Sequence, residues 1–116
     1  MKFLLFWSII LSGLRCQAST YMSVTEGQRA ILDCQLHTDN SNRTVSWYKQ
    51  IPRERPHLVL SYSTSNASQV SYGHGFNSSR FTVLNKANET YQHQLIIIAT
   101  KKYDTAVYYC GLSSKL

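Results

Sequence analysis

Apolar and polar residues alternate along most of the chain, in short runs separated by turn residues. Because side chains in a β-strand point alternately to opposite faces, this pattern predicts strands with one buried face. No helical period follows residue 18, and short strands with turns between them favour a β-sandwich over a βαβ sheet. The predicted strands are Arg29–Gln35, Val45–Gln50, Leu58–Tyr62, Arg80–Leu84, Tyr91–Ala99 and Thr105–Cys110.

The same alternation predicts which side chains face the core. The predicted core residues are Ala30, Leu32, Cys34, Val45, Trp47, Phe81, Val83, Leu95, Ile97, Ala106, Tyr108 and Cys110, with the stem of Lys49. Ile96 and Ile98 then face outward, which favours aggregation unless something covers them.

The first eighteen residues have the pattern of a secretory signal peptide. Lys2 gives a positive start, residues 3–14 are mostly apolar, and small residues precede the expected cleavage after Ala18. Residues 1–18 are therefore predicted to lie outside the fold, and residues 19–116 to form one domain. Cleavage also removes Cys16 and leaves two cysteines in a compartment that permits a disulfide.

The distribution of charge and the glycosylation sequons are both typical of the surface of an exported protein. Without Lys2 and Arg15, ten basic residues face six acidic ones, and the basic residues are scattered. Nucleic-acid binding would need a cluster of positive charge, so none is predicted. Four asparagines stand in Asn-x-Ser/Thr, the acceptor pattern for N-linked glycans: Asn42, Asn66, Asn77 and Asn88.

The chain contains no pattern that predicts an enzyme. The four histidines are dispersed with no metal-compatible spacing, and no Cys-x-x-Cys is present. Neither a Gly-x-Ser-x-Gly elbow nor a phosphate-binding loop occurs, and the acidic residues are not paired. We therefore expect no catalytic residue, no metal and no cofactor.

Several spaced motifs resemble an immunoglobulin-superfamily variable domain. They are Cys34, Trp47-Tyr-Lys-Gln50, Pro52 and Pro56, Arg80, and Asp104 before Tyr108-Tyr-Cys110. The resemblance covers almost all of residues 19–116 and implies an all-β, V-type antiparallel Greek-key sandwich. It also implies a Cys34–Cys110 disulfide, a core around Trp47, Leu95 and Tyr108, and a salt bridge between Arg80 and Asp104.

Within this superfamily, the segment from Tyr72 to Phe81 and the Tyr91–Ile97 strand look most like T-cell receptor gamma variable segments. An immunoglobulin light-chain or surrogate-light-chain segment is one alternative, and an adhesion or inhibitory receptor ectodomain is another. Two departures stand out. Arg53 replaces the usual glycine after Pro52, so the turn there is expected to differ. Thr100 replaces an aliphatic residue, which is expected to weaken the core.

The sequence stops six residues after Cys110 without a Phe-Gly-x-Gly segment. The resemblance therefore implies that the final strand, strand G, is missing. We interpret this as a germline-like variable segment that awaits a joining segment. The strand containing Cys110 is then expected to have a bare edge.

The resemblance implies two binding surfaces. Pairing with a second variable domain, a delta-type receptor chain, is expected through Tyr48, Gln50, Pro56, Leu58 and Tyr109. An antigen or cell-surface ligand is expected to contact loops containing Asn40, Arg43, Tyr62, Ser65, Gly111 and Leu112. A receptor signalling complex is a further implied partner, at the extracellular face of the plasma membrane. A glycan at Asn42 or Asn66 would restrict ligand contact to the third loop.

Overall fold

The computed structural model describes residues 2–11, 15–16, 20–34, 43–85 and 93–113. Within these ranges the chain forms strands and one 3₁₀ turn at Lys102–Asp104. The strands are β1 (Lys2–Leu11), β2 (Arg15–Cys16), β3 (Thr20–Thr25), β4 (Ala30–Asp33), β5 (Thr44–Gln50), β6 (His57–Ser63), β7 (Asn66–Tyr72), β8 (Phe81–Asn85), β9 (His93–Ile97) and β10 (Val107–Leu112).

The strands form two sheets. The larger one has the order β2-β1-β10-β5-β6-β7, with β3 paired to β1, and the smaller one has the order β4-β9-β8. Every pairing is antiparallel except that of β1 with β10, which is parallel. The predicted all-β sandwich is confirmed.

The core lies between the two sheets and contains the residues that the alternation assigns to it, except that Val83 is half-buried and packs against it. Trp47, Leu95 and Tyr108 are completely buried. The smaller sheet contributes inward side chains from β4, β8 and β9, and the larger sheet contributes those of β5, β6 and β10. A disulfide between Cys34 and Cys110 joins the two sheets through this core, as the resemblance implies.

The edge of β10 is occupied. The sequence predicts a bare edge there, whereas the structure pairs Phe6–Ile9 of β1 with Val107–Cys110. The backbone of β1 thus lies between β10 and β3, although residues 1–18 are predicted to lie outside the fold. An apolar segment with many aromatic and β-branched residues suits such a position, because β10 otherwise exposes unpaired N–H and C=O groups. Signal-peptide cleavage stays a prediction.

Strand β7 is not among the predicted strands, because Ser65 and the polar residues around it are assigned to a ligand-binding loop. It pairs with β6 and is joined to it by a two-residue turn at Thr64–Ser65. After β7, Gly73 donates its N–H to the carbonyl oxygen of Val59 at 2.9 Å. A Cβ atom at Gly73 would lie 1.8 Å from the carbonyl oxygen of Leu58, so this close approach requires glycine.

The two departures from the family pattern can both be placed in the structure. Arg53 has a φ of 70°, the left-handed conformation that favours glycine, at a cost of roughly 1 kcal/mol for a residue with a Cβ. Arg53 therefore takes a conformation that glycine adopts more easily, and a turn that differs from that of the family stays a prediction. Thr100 is buried, and its hydroxyl donates to the carbonyl oxygen of Gln28 at 2.8 Å. The buried hydroxyl is therefore satisfied, and the expectation that Thr100 weakens the core stays a prediction.

The outer face of the smaller sheet exposes apolar side chains, as the alternation predicts. Ile98 is exposed and Ile96 is half-buried. Ile31 of β4 lies directly opposite Ile96 of β9 and is also exposed. Ile31 and Ile96 therefore form a small apolar patch on this face.

Candidate functional site

The outer face of the sheet formed by β5, β6 and β10 presents the residues predicted to contact a second domain. Since β5 buries Val45, Trp47 and Lys49, the residues between them point outward. Tyr109 of β10 lies directly opposite Tyr48 of β5. We call the set Tyr48, Gln50, Pro56, Leu58 and Tyr109 the aromatic face.

The aromatic face is concave. A hollow of about 500 Å³ is lined by Tyr48, Gln50, Pro56, Tyr109, Cys110 and Gly111. Tyr48 and Pro56 are exposed, whereas Gln50, Leu58 and Tyr109 are half-buried. The structure thus brings the five predicted residues onto one face, with aromatic rings beside a hollow that an apolar side chain of a partner could fill.

Gln50 is held in place by its own chain. The hydroxyl of Tyr109 donates to Gln50 Oε1 at 3.0 Å, and Gln50 Nε2 donates to the carbonyl oxygen of Glu54 at 3.0 Å. An amide group has a second N–H and a second lone pair, so Gln50 can still bond to a partner. The role of the Glu54 carbonyl could not be predicted, because it depends on the turn between β5 and β6.

The predicted ligand-binding loops converge at the start of β5. Arg43 N–H donates to Thr64 Oγ1 at 3.0 Å, and Thr64 N–H donates to the Arg43 carbonyl oxygen at 2.8 Å. Ser113 N–H donates to the carbonyl oxygen of Thr44, while Thr44 N–H donates to Ser113 Oγ. The described ends of the three loops are therefore tied together by hydrogen bonds.

Other predicted loop residues lie in different surroundings. Ser65 is exposed in the turn between β6 and β7, and its hydroxyl is 2.9 Å from that of Ser63. Gly111 and Leu112 are half-buried residues of β10. Asn40 lies outside the described residues.

Tyr62 is predicted to contact the ligand, but its side chain is buried in the structure. It is only 3% exposed, and its hydroxyl lies 2.6 Å from Nδ1 of buried His93. The prediction of a surface role for Tyr62 is therefore wrong, because this ring belongs to the core. Burial lowers the pKa of His93, and within the described chain its Nε2 atom has no hydrogen-bond partner.

We expect the stability of the domain to fall at mildly acidic pH because of His93. The pKa of His93 is lowered in the folded state, so the unfolded chain binds more protons below about pH 6.5, the ordinary pKa of histidine. The free energy of unfolding should then fall by up to about 1.4 kcal/mol per pH unit until the folded-state pKa is reached. Above about pH 6.5 this contribution is constant.

Urea unfolding at pH 7.5, 6.5 and 5.5 measures this effect. A His93→Leu/Tyr62→Phe variant replaces both polar partners together and should lose the His93 part of the slope. A His74→Gln variant is the matched control, because His74 is exposed, and it should keep the slope. Equal slopes in the wild type and the double variant would show that His93 is not the group responsible.

The opposite end of β5 holds an ion pair whose carboxylate is buried. Arg80 Nη1 donates to Asp104 Oδ1 at 3.1 Å, Nη2 donates to Oδ2, and Asp104 is completely buried. Tyr108 donates its hydroxyl to the carbonyl oxygen of Asp104 at 2.6 Å, which is the contact of a tyrosine corner. Arg80 and Asp104 thus form the salt bridge that the resemblance implies.

Lys49 lies beside this ion pair. Its ammonium group donates to the carbonyl oxygen of Tyr103 at 2.7 Å. Burial lowers the pKa of Lys49, although the nearby Asp104 carboxylate opposes that effect. The contact positions a cation next to the exposed ring of Tyr103.

Two of the four sequons can be placed. Asn66 and Asn77 are exposed, as a glycan requires, whereas Asn42 and Asn88 lie outside the described residues. Across the described ranges, no group of three His, Cys, Asp or Glu side chains could hold a metal. The same ranges contain no helix with the length and apolar character needed to cross a membrane.

Comparison with known proteins identifies the family to which the chain belongs. Residues 17–115 match the model of the immunoglobulin V-set domain. The chain is 32% identical to human T cell receptor alpha variable 5 over 116 residues, which cover 97% of this chain and 94% of that protein. It is 33% identical to human T cell receptor alpha variable 29/delta variable 5, over 84% of this chain and 74% of that protein. Human T cell receptor alpha variable 38-1 is 30% identical, over 92% and 93%.

Proposed function

The chain belongs to the immunoglobulin V-set family, and from that premise we propose that it is the variable domain of a T-cell receptor chain. It binds a ligand without catalysis, after pairing with a second variable domain. The observation that carries the pairing is the aromatic face, where Tyr48 and Tyr109 flank Gln50 beside a hollow of about 500 Å³. Aromatic anchors next to a pocket are typical of the residues that dominate binding energy at interfaces.

The subtype is best described as alpha or delta. The relatives above are alpha and alpha/delta variable segments, and their similarity extends over most of both chains. The gamma subtype, which the Tyr72–Phe81 segment favours, stays a prediction. Any receptor variable domain is therefore a candidate pairing partner, and a delta-type chain is one of them.

The ligand would contact the end of the sandwich where Arg43, Thr64 and Ser113 meet. Hydrogen bonds between these residues hold the bases of three loops together, so the loops have a common rigid support. Asn66 is exposed near this end, and a glycan there would shift ligand contact toward the third loop. The domain would act at the extracellular face of the plasma membrane, within a receptor signalling complex.

Co-expression tests the pairing. The chain, joined to the constant region of a receptor chain, is expressed with alpha, beta, gamma or delta partner chains, and secreted heterodimer is measured by affinity capture of the partner. We expect one partner class to give heterodimer. Removal of a central aromatic anchor typically costs about 2 kcal/mol, so Tyr109→Ala should weaken that pairing by roughly 30-fold.

Leu84→Ala is the matched control, since Leu84 is an exposed apolar residue of the other sheet. It should leave the heterodimer yield unchanged. Absence of heterodimer with every partner class, from a chain that is secreted and oxidised, would contradict the proposed function. An equal loss in Tyr109→Ala and Leu84→Ala would show that the aromatic face is not the pairing surface.

A further inference from the structure

A second concave surface lies at the ion-pair end of the sandwich. This cleft has a volume of about 250 Å³, and its lining includes Lys49, His74, Phe76, Asn77 and Tyr103. It shares none of the lining residues of the hollow on the aromatic face. The proposed pairing therefore does not account for it.

Tyr103 provides an aromatic platform in the cleft. It is 60% exposed, the highest value among the large apolar side chains that the structure describes as exposed. Two cations lie over its ring, with Arg80 Cζ 5.2 Å and Lys49 Nζ 5.9 Å from the ring centroid. An aromatic ring that is open to solvent can accept the C–H face of a sugar, because the π-face carries partial negative charge.

Asn77 stands on the lining of the same cleft as the acceptor asparagine of Asn77-Ser78-Ser79. Its Oδ1 atom accepts from Ser79 N–H at 2.9 Å and also from the Ser79 hydroxyl. These contacts fix the side-chain amide through its oxygen. The side chain is exposed, so a substituent on Nδ2 can extend into solvent or along the cleft.

From this juxtaposition we propose that Asn77 carries an N-linked glycan whose first sugars pack into the cleft against the ring of Tyr103. In the attachment step, Nδ2 displaces the diphosphate of a lipid-linked oligosaccharide. The N–C1 bond forms, the C1–O bond to the diphosphate breaks, Nδ2 gives up a proton and the diphosphate leaves. The packed glycan shields Tyr103 and stabilises the ion-pair end of the domain.

Asn66 provides a comparison with Asn77 within the same chain. It is also an exposed sequon asparagine, and Ser68 Oγ donates to its Oδ1 at 2.6 Å. Asn66 is not among the residues that line this cleft. A glycan at Asn66 should therefore project into solvent and make no contact with Tyr103. Glycan packing at Asn77 requires only that the chain is exported. The glycan could therefore fail to pack although the chain is a receptor domain, and it could pack although the chain is not one.

The first test is a double-mutant cycle on protein secreted from mammalian cells. Glycopeptide mass spectrometry should find a glycan at Asn77. Asn77→Gln should lower Tm by about 4 °C, a shift that a domain of this size shows for a modest loss of contacts. In the Tyr103→Ala background the Asn77→Gln change should have little effect, and Asn66→Gln should not depend on Tyr103 at all. Protein refolded from bacteria, which carries no glycan, should show no coupling between Asn77 and Tyr103.

A second measurement does not depend on any variant. An endoglycosidase that cuts between the first two sugars should release the Asn77 glycan from native protein at least 5-fold more slowly than the Asn66 glycan. In denatured protein the two rates should be equal. An unmodified Asn77, equal native release rates, or an Asn77→Gln effect that persists without Tyr103 would each overturn the proposal.

Discussion

Replacing both Cys34 and Cys110 with alanine is expected to lower the free energy of unfolding by about 4 kcal/mol, and Tm by roughly 20 °C. The disulfide spans 76 positions, and closing so long a loop removes much of the entropy of the unfolded chain. Both half-cystines are also buried in the core, so their loss leaves space between the sheets. Equilibrium urea unfolding of the secreted protein, followed by the fluorescence of Trp47, measures the change.

Cys16→Ser is the control for this experiment. If the signal peptide is cleaved as predicted, the secreted protein lacks Cys16 and its stability is unchanged. Peptide mapping without reduction should find one cross-linked peptide that joins Cys34 to Cys110. A loss below 1 kcal/mol in the double variant, or free thiols at both positions in the wild type, would contradict the role assigned to this bond.

The sequence predicts the core well because burial follows a strict period of two in β4, β5 and β9, and in β10 as far as Cys110. In β9, for example, His93, Leu95 and Ile97 are buried and the residues between them are not. Such a pattern depends only on local backbone geometry, so it can be read without knowing which strands pair.

The misplacement of Tyr62 has a physical cause in β6. Trp47 pairs with Leu60 and Tyr48 pairs with Leu58, so Val59 is an extra residue in a β-bulge. Val59 and Leu60 are consequently both buried, and the alternation along β6 is broken. A bulge depends on the partner strand and leaves no local signal, so the inward position of Tyr62 could not be read from its own run.

Long-range partners explain the other differences. Strand β7 is an edge strand with polar residues on both faces. Only Ala67, Val70 and Tyr72 of this strand pack against the core. The hydroxyl of Thr100 is satisfied by Gln28, which is 72 positions away. The pairing of β1 with β10 likewise joins segments from the two ends of the chain. None of these contacts can be inferred from a periodicity within one strand.

The ion pair between Arg80 and Asp104 should have the second large effect, with Asp104→Ala lowering the free energy of unfolding by about 3 kcal/mol. Asp104 is completely buried, and the Arg80 side chain is 23% exposed. Removing the carboxylate leaves a half-buried guanidinium without its anion. It also leaves the Lys101 N–H without the acceptor that it contacts at 2.8 Å.

Two further variants separate these contributions. Asp104→Asn keeps an oxygen for Lys101 N–H and should cost less than Asp104→Ala. Adding Arg80→Met to Asp104→Asn removes the unpaired cation as well, and should recover part of the loss, because a buried ion pair replaced as a unit is nearly neutral. Glu26→Gln is the control, since Glu26 is an exposed acid, and it should change stability by less than about 0.5 kcal/mol. If Asp104→Ala costs no more than Glu26→Gln, the pair contributes only as surface charge, and the end of the sandwich must be held by the Tyr108 hydroxyl and the backbone alone.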